Sequence, residues 1–258
     1  LLAILFVKGR KTDKEKFAGA LETYTIEALM HDGKALQSGT SHYFGDGFAR
    51  AFGISYLDSD GKVKTPYQTS WGVSTRLLGS IIMVHGDDNG LVLPPFVAPT
   101  QIVIVPIQMA KEGVVKKCLE IKERLEKVGF RVKTPGWKFS EYEMKGVPLR
   151  IEIGPKDIEK NHMVIVRRVD HVKEFVEIDD LLEEKINKEL HNIHDLMYKK
   201  ALANLLNSIT EVHNMDELKA ALDKGGYAKM MWCGDRECED MIKNLYQATA
   251  RCIPFDQL

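Results

Sequence analysis

Gln68-Thr69-Ser70-Trp71-Gly72-Val73-Ser74-Thr75-Arg76-Leu77-Leu78-Gly79-Ser80 sets small and hydroxyl-bearing residues directly before an arginine and an apolar run. Gly72 has no Cβ, so another group can approach its backbone closely. Ser74 and Thr75 supply hydroxyls. Arg76 supplies a fixed fork of donors suited to phosphate, or a flat face that stacks on a base. The apolar residues 77–84 read as a helix, which puts Arg76 where a polar segment gives way to it. On these residues alone the stretch is a candidate phosphate or nucleotide site, with an ordinary surface segment as the competing reading.

Working outward, Lys34-Ala35-Leu36-Gln37-Ser38-Gly39-Thr40-Ser41-His42 reads as a strand ending in small polar residues and a histidine, as a ligand-lined pocket would. A lone histidine is more often structural. Residues 8–16 form a charged loop whose plain reading is a solvated surface. Leu1-Leu2-Ala3-Ile4-Leu5-Phe6-Val7 reads as a buried strand, too short to span a membrane and without the basic stretch of a signal peptide. Short apolar runs, such as 81–84 and Gly90-Leu91-Val92-Leu93, mix with Gly, Thr and Ser across 1–98 and predict an antiparallel sheet with few long helices. Pro94, Pro95 and Pro99 mark a boundary.

Downstream, residues 100–180 alternate strand and helix. Ile102-Val103-Ile104-Val105 is a buried strand by its β-branched run. Val114, Val115, Cys118, Ile121, Leu125 and Val128 mark a helical stripe. Residues 149–153 and 163–166 give two further strands, so this span reads as a small α/β domain. From Leu181 the pattern is helical to near Glu211. A second short helix at 216–222 closes on Gly225-Gly226, and a cysteine-containing tail follows.

The chain of 258 residues is 44% hydrophobic and 28% charged, as a soluble globular protein is. Its net charge of −1 argues against a non-specific grip on long nucleic acid, so any RNA contact is local. No apolar run reaches the roughly 18–20 residues of a membrane span, so no membrane contact is expected. Four cysteines do not make a disulfide framework, and a reducing cytoplasm is the expected compartment.

At this point several long strings, in one order, resemble the prolyl-tRNA synthetase family of class II aminoacyl-tRNA synthetases, in its archaeal and eukaryotic-like form. They are Lys8-Gly9-Arg10-Lys11-Thr12-Asp13-Lys14-Glu15-Lys16-Phe17-Ala18-Gly19, residues 35–42, residues 68–76 and Val84-His85-Gly86-Asp87-Asp88-Asn89-Gly90-Leu91-Val92-Leu93-Pro94-Pro95. Pro135-Gly136-Trp137-Lys138-Phe139, residues 146–157, Trp232-Cys233-Gly234 and Cys252-Ile253-Pro254-Phe255 continue the resemblance over nearly the whole chain.

The resemblance implies an α+β multidomain fold. Residues 1–98 would be the C-terminal half of a class II antiparallel-sheet catalytic domain carrying motif 3. Residues 99–180 would be an α/β anticodon-binding domain, and 181–258 a small, truncated, zinc-binding-like α/β domain. It implies a proline–tRNA ligase that joins L-proline to ATP and passes it to tRNA(Pro). Arg76 and Gln37 would be catalytic. Gln37, Thr40, Ser74 and Arg76 would hold ATP and its Mg²⁺, and His42 would hold proline, with Thr23 and Glu27 lining the same cavity. Lys138, Glu141, Arg150, Glu152 and Lys156 would read the anticodon, with Trp137 as a stacking residue. A homodimer is expected by analogy.

The sequence departs from the family where motifs 1 and 2 should precede Lys8, in a short acidic loop expected between Lys133 and Thr134, and after Leu258. It is therefore expected to be part of a longer protein. Cys233 and Cys238 match the first pair of the family's structural zinc site. On spacing alone, free thiols are the plain reading. The runner-up is a non-catalytic tRNA-binding or regulatory paralogue of a class II synthetase. A threonyl enzyme would need a zinc-ligating cysteine in its catalytic part, and the first cysteine here is Cys118.

Overall fold

The computed structural model of the chain describes residues 1–134 and 139–255, and of 139 and 140 the backbone only. Its elements begin with β1 (Val7–Arg10), β2 (Glu22–Leu29), β3 (Ala35–Gly45), α1 (Gly47–Ala51), β4 (Tyr56–Leu57), β5 (Val63–Lys64), β6 (Gln68–Val73) and α2 (Arg76–His85). There follow β7 (Ile102–Pro106), α3 (Val114–Lys127), β8 (Val132–Lys133), α4 (Phe139–Met144), β9 (Leu149–Ile153), α5 (Pro155–Glu159), β10 (His162–Arg167) and β11 (Lys173–Glu177). The last are α6 (Leu182–Asn207), β12 (Ile209–Val212), α7 (Met215–Lys224), β13 (Tyr227–Met230), α8 (Arg236–Tyr246) and β14 (Ile253–Pro254). Among the described residues no helix is long and apolar enough to cross a membrane.

Contacts gather the chain into two compact units, Leu1–Ile4 with Val84–Leu202 and Leu5–Met83 with Ala203–Leu258. They follow contact rather than position along the chain, so neither coincides with one of the spans 1–98, 99–180 and 181–258.

The first unit is a mixed sheet in the order β11-β10-β9-β7-β8, with β7 parallel to β8 and β9. Its interior is aliphatic for reasons visible in each element. In β9 Leu149, Ile151 and Ile153 alternate into the core, as the two-residue period of a strand requires. In α3 the buried Val114, Cys118, Ile121 and Leu125 lie four, three and four apart, on one helical face. Leu182, Ile186, Leu190, Ile193 and Met197 give α6 the same stripe, and both stripes enter one core with the sheet. Arg124 ties the helices together, donating to both Glu183 carboxylate oxygens and to the Asp179 carbonyl.

The second unit is an antiparallel sheet in the order β14-β1-β2-β3-β6. Beside it β12 and β13 run parallel and pack with α7 and α8 around Val212, Leu218 and Ala221. Asn214 caps α7 by accepting from the Glu217 N–H at 2.9 Å. The turn after α7 needs glycine: Gly226 has φ +95°, and a Cβ there would lie 2.2 Å from the Ser208 carbonyl oxygen.

Several sequence expectations change. In the opening apolar run only Val7 enters a strand; Ala3 and Ile4 are buried from irregular backbone. Residues 81–84 belong to α2, so their helical reading holds over the sheet-like one. Residues 91–93 form no strand; Leu91 and Leu93 instead donate to the Met144 and Gly146 carbonyls. The long helix ends at Asn207, because the β-branched Ile209, Thr210 and Val212 pair as β12.

Candidate functional site

The register of β2, β3 and β6 decides which side chains meet. Thr23 lies opposite His42, Thr25 opposite Thr40, and Glu27 opposite Gln37 past an irregularity at Ile26/Glu27 that leaves Ser38 as the extra residue. On the far side Thr40 pairs with Gly72 and His42 with Ser70. Residues opposite one another share a face of the sheet. Thr23, Thr25 and Glu27 therefore stand on the same side as His42, Thr40 and Gln37.

His42 is fixed from both nitrogens. Nδ1 meets Thr23 Oγ1 at 3.0 Å and Nε2 meets Thr40 Oγ1 at 3.1 Å. A neutral imidazole donates from one nitrogen and accepts at the other, and a hydroxyl serves either role. The ring is flanked by Phe17 and Phe44, with centroids at 4.8 and 5.9 Å. The expected strand end at His42 is not an end: β3 runs on to Gly45, and this places Phe44 beside the imidazole.

Arg76 opens α2 with its side chain exposed. Its backbone N–H donates to Ser74 Oγ at 3.3 Å, and Nη1 donates to the Gln37 carbonyl at 3.4 Å. The guanidinium thus sits at the end of β3 where Gln37 emerges, with most of its fork open. The buried Ser38 and Ser80 hydroxyls meet at 3.2 Å and join β3 to α2.

Glu27 is fully buried, and protein donors surround its carboxylate. Oε1 accepts from Lys11 Nζ at 2.8 Å and from Thr25 Oγ1 at 2.8 Å. Oε2 accepts from Arg251 Nη2 at 2.7 Å and Nε at 3.2 Å. Burial pushes this carboxyl's pKa up, but hydrogen bonds from Lys11 and Arg251 outweigh it and hold it below the usual range. The sequence pointed to Glu27 and Thr23 as pocket residues; Thr23 touches His42, while Glu27 faces protein cations. Lys11 and Arg251 were not foreseen. Lys11 sits in a run of charges that reads as a solvated loop, yet is 7% exposed.

In the other unit β9 turns Arg150 and Glu152 away from the core. Arg150 Nε donates to Glu152 Oε1 at 2.9 Å, and Lys173 Nζ lies 3.8 Å from Oε2. Phe175 on β11 pairs with Val164, which pairs with Glu152, so the three share that open face, and Phe175 is 75% exposed. A large aromatic set among the charges of Lys173-Glu174-Phe175-Val176-Glu177, with Lys173 and Glu177 on its own face of the strand, was the available signal. Glu141 lies in α4 and accepts from Lys145 Nζ at 2.5 Å, and Lys156 is exposed in α5. Trp137 and Lys138 lie outside the described residues.

Cys233 and Cys238 flank the N-cap Asp235 of α8, and their sulfurs are 3.1 Å apart. Two thiols supply half of the four ligands a structural zinc takes. Among the described residues no group of three or more His, Cys, Asp or Glu could hold a metal, so they do not form a complete zinc site.

Comparison with known proteins places these faces in context. Residues 101–189 match the family described as "Anticodon binding domain", and residues 215–258 match "Prolyl-tRNA synthetase, C-terminal". A proline–tRNA ligase of Oceanobacillus iheyensis is 55% identical over 99% of this chain and 54% of its own length. One from Agathobacter rectalis is 57% identical over 98% of this chain and 54% of its own. The chain thus spans about half the length of the curated relatives it matches. A crystal structure of the Cryptosporidium parvum prolyl-tRNA synthetase, complexed with L-proline and AMP, superposes with a TM-score of 0.93 at 40% identity. It covers 100% of this chain and 58% of that one.

Proposed function

The chain belongs to the prolyl-tRNA synthetase family, matching its C-terminal portion, and from that premise we propose that the whole protein is a proline–tRNA ligase. It activates L-proline with ATP and transfers it to tRNA(Pro). The observation that carries the reading is the polar row Thr23–His42–Thr40 beside Gln37 and Arg76, on one face of an antiparallel sheet. Buried or half-buried polar groups on a sheet face cost stability unless they are bonded. Here they are bonded in a way that orients one imidazole and leaves most of one guanidinium fork open.

In the proposed activation step the proline carboxylate attacks the α-phosphorus of ATP and pyrophosphate departs. The protein's part is to position the reactants and to stabilise charge. Arg76 directs its open fork at the nucleotide. Gln37, Thr40 and Ser74 fix the nucleotide around it. His42, clamped by two threonines, orients proline, and Phe17 and Phe44 give its small ring an apolar wall. Gln37 would help to hold Mg²⁺ bound with the phosphates, which would neutralise part of their charge.

Residues 1–98, 99–180 and 181–258 are kept as the catalytic, anticodon-binding and C-terminal parts of this proposal. Arg150, Glu152, Glu141, Lys156 and Lys138 are proposed to contact the anticodon loop, with Phe175 stacking on a base beside them. Zn²⁺ is proposed at Cys233 and Cys238 of the whole protein only with two ligands besides the described residues; metal analysis showing no zinc would remove it. A homodimer in the cytoplasm is the proposed state.

Pyrophosphate exchange by the full-length protein, run with each amino acid in turn, tests the reading. Exchange driven by proline alone is expected, and His42→Ala should raise the KM for proline about ten-fold or more with that for ATP within about two-fold. Exchange driven by another amino acid would overturn it. So would tRNA binding with no exchange, the behaviour of a non-catalytic paralogue.

A further inference from the structure

We propose that Arg251 and Lys11 are positioning residues for the nucleotide step, acting through the buried carboxylate of Glu27. This inference rests on the function proposed above. It would make the C-terminal segment a working part of the catalytic sheet.

The first observation is chemical. Three charged groups, Lys11, Glu27 and Arg251, meet where Glu27 is 0% exposed. Buried ion pairs are poor stabilisers compared with apolar side chains of the same volume. Such a cluster makes sense where geometry, rather than stability, is required. The carboxylate is held from both ends, by Lys11 and Thr25 at Oε1 and by two nitrogens of Arg251 at Oε2. It therefore has little freedom to turn. The cluster carries one excess positive charge, on the face that presents Gln37 and Thr40 to a polyanion.

The second observation is where Glu27 sits. It lies opposite Gln37, at the register shift that makes Ser38 the extra residue of β3. Such bulges re-aim side chains next to sites. This one turns Ser38 inward onto Ser80 of α2, the helix that Arg76 opens, and Gln37 in turn offers its carbonyl to Arg76. Thr25, which donates to Glu27, lies opposite Thr40. Every residue proposed to hold the nucleotide is thus one or two contacts from Glu27 or from the bulge beside it.

The third observation is what delivers Arg251. It immediately precedes Cys252 and β14, which pairs with β1 through Gly9–Pro254 and Arg10–Ile253. The approach depends on Gly9, where a Cβ would lie 2.3 Å from the Ile253 carbonyl oxygen. The Phe255 N–H donates to the Lys8 carbonyl at 3.1 Å and continues the ladder. Residues 224 apart in sequence are thereby joined at one carboxylate.

The test is steady-state pyrophosphate exchange by full-length enzyme carrying Arg251→Met, Arg251→Lys, Glu27→Gln, or Glu27→Gln with Arg251→Met, each with a thermal melt. Arg251→Met should raise the KM for ATP about ten-fold, leaving that for proline within about two-fold. Arg251→Lys should recover most of the loss. The double variant should be no worse than Arg251→Met alone, because both changes break the same contact. An ATP KM that stays within about two-fold in Arg251→Met would overturn the proposal, as would ATP and proline KM values rising together with a falling Tm. Should Arg251→Met fail to fold, Glu27→Gln decides alone: it should raise the ATP KM about ten-fold with that for proline within about two-fold, and an unchanged ATP KM there overturns the proposal. Wild-type enzyme in the same assay separates the two claims. No proline-dependent exchange there defeats the functional reading, whereas wild-type exchange with unmoved variants defeats only this inference.

Discussion

In the mixed sheet β11-β10-β9-β7-β8 the side chains removed from water are Ile102, Ile104, Leu149, Ile151 and Ile153, packed against the stripes of α3 and α6. In the antiparallel sheet β14-β1-β2-β3-β6 they include Thr23, Thr25, Glu27 and Ser38. Aliphatic burial is non-directional and contributes stability in proportion to area. Buried hydroxyls and carboxylates contribute little net stability and demand specific partners. The first sheet is therefore a scaffold, and in the proposed function its open face, at Arg150, Glu152 and Phe175, meets the tRNA. The second sheet would carry the proposed chemistry among its own strands.

The largest expected effect separating them is Ile151→Ala. It leaves a cavity in the aliphatic core and should cost about 2–5 kcal/mol in chemical denaturation, with the ATP KM of the folded enzyme unchanged. A shifted ATP KM would erase the division between scaffold and site. Next is Asp87→Asn. Arg168, 5% exposed, donates to both Asp87 oxygens at 2.5 and 2.7 Å; Asp87 itself is exposed, which screens the pair, so losing that charge should cost about 1–2 kcal/mol. The Arg168 guanidinium holds the Asp87 carboxyl below its ordinary range. Its folded pKa being depressed, this contribution is complete above about pH 4 and is lost as the pH falls through the folded value. Acid unfolding of Asp87→Asn should accordingly be less steep there. The smallest is Asn214→Ala, which removes the cap of α7 and should cost about 0.5–2 kcal/mol by thermal melt, with exchange unaffected.

The same contrast explains what the sequence made legible. Helix α3 and strands β7 and β9 were readable because their apolar residues recur at the period of the element that buries them. The end of α7 was readable because glycine has few substitutes where φ is positive. Arg76, Gln37, Thr40 and His42 emerged through a resemblance of strings, and the structure brings them together across β3 and α2. Lys11 and Arg251 were not legible. Their burial depends on a pairing of β14 with β1 that no local period encodes, and a buried lysine in a charged run looks like a solvated one. The run at 1–7 misled for the opposite reason, since Ala3 and Ile4 are buried without belonging to a strand.

Exchange and aminoacylation, measured side by side on full-length Arg76→Ala and Glu152→Gln, test the division most directly. On the proposed function, exchange requires only the adenylate site and no tRNA, whereas aminoacylation requires both faces. Arg76→Ala should lower proline-dependent exchange roughly 30- to 1000-fold, the loss of about 2–4 kcal/mol of transition-state stabilisation, and should lower aminoacylation with it. Glu152→Gln should leave exchange within about two-fold of wild type and slow only aminoacylation. Full-rate exchange after Arg76→Ala, or a loss of exchange in Glu152→Gln equal to its loss of aminoacylation, would contradict the account.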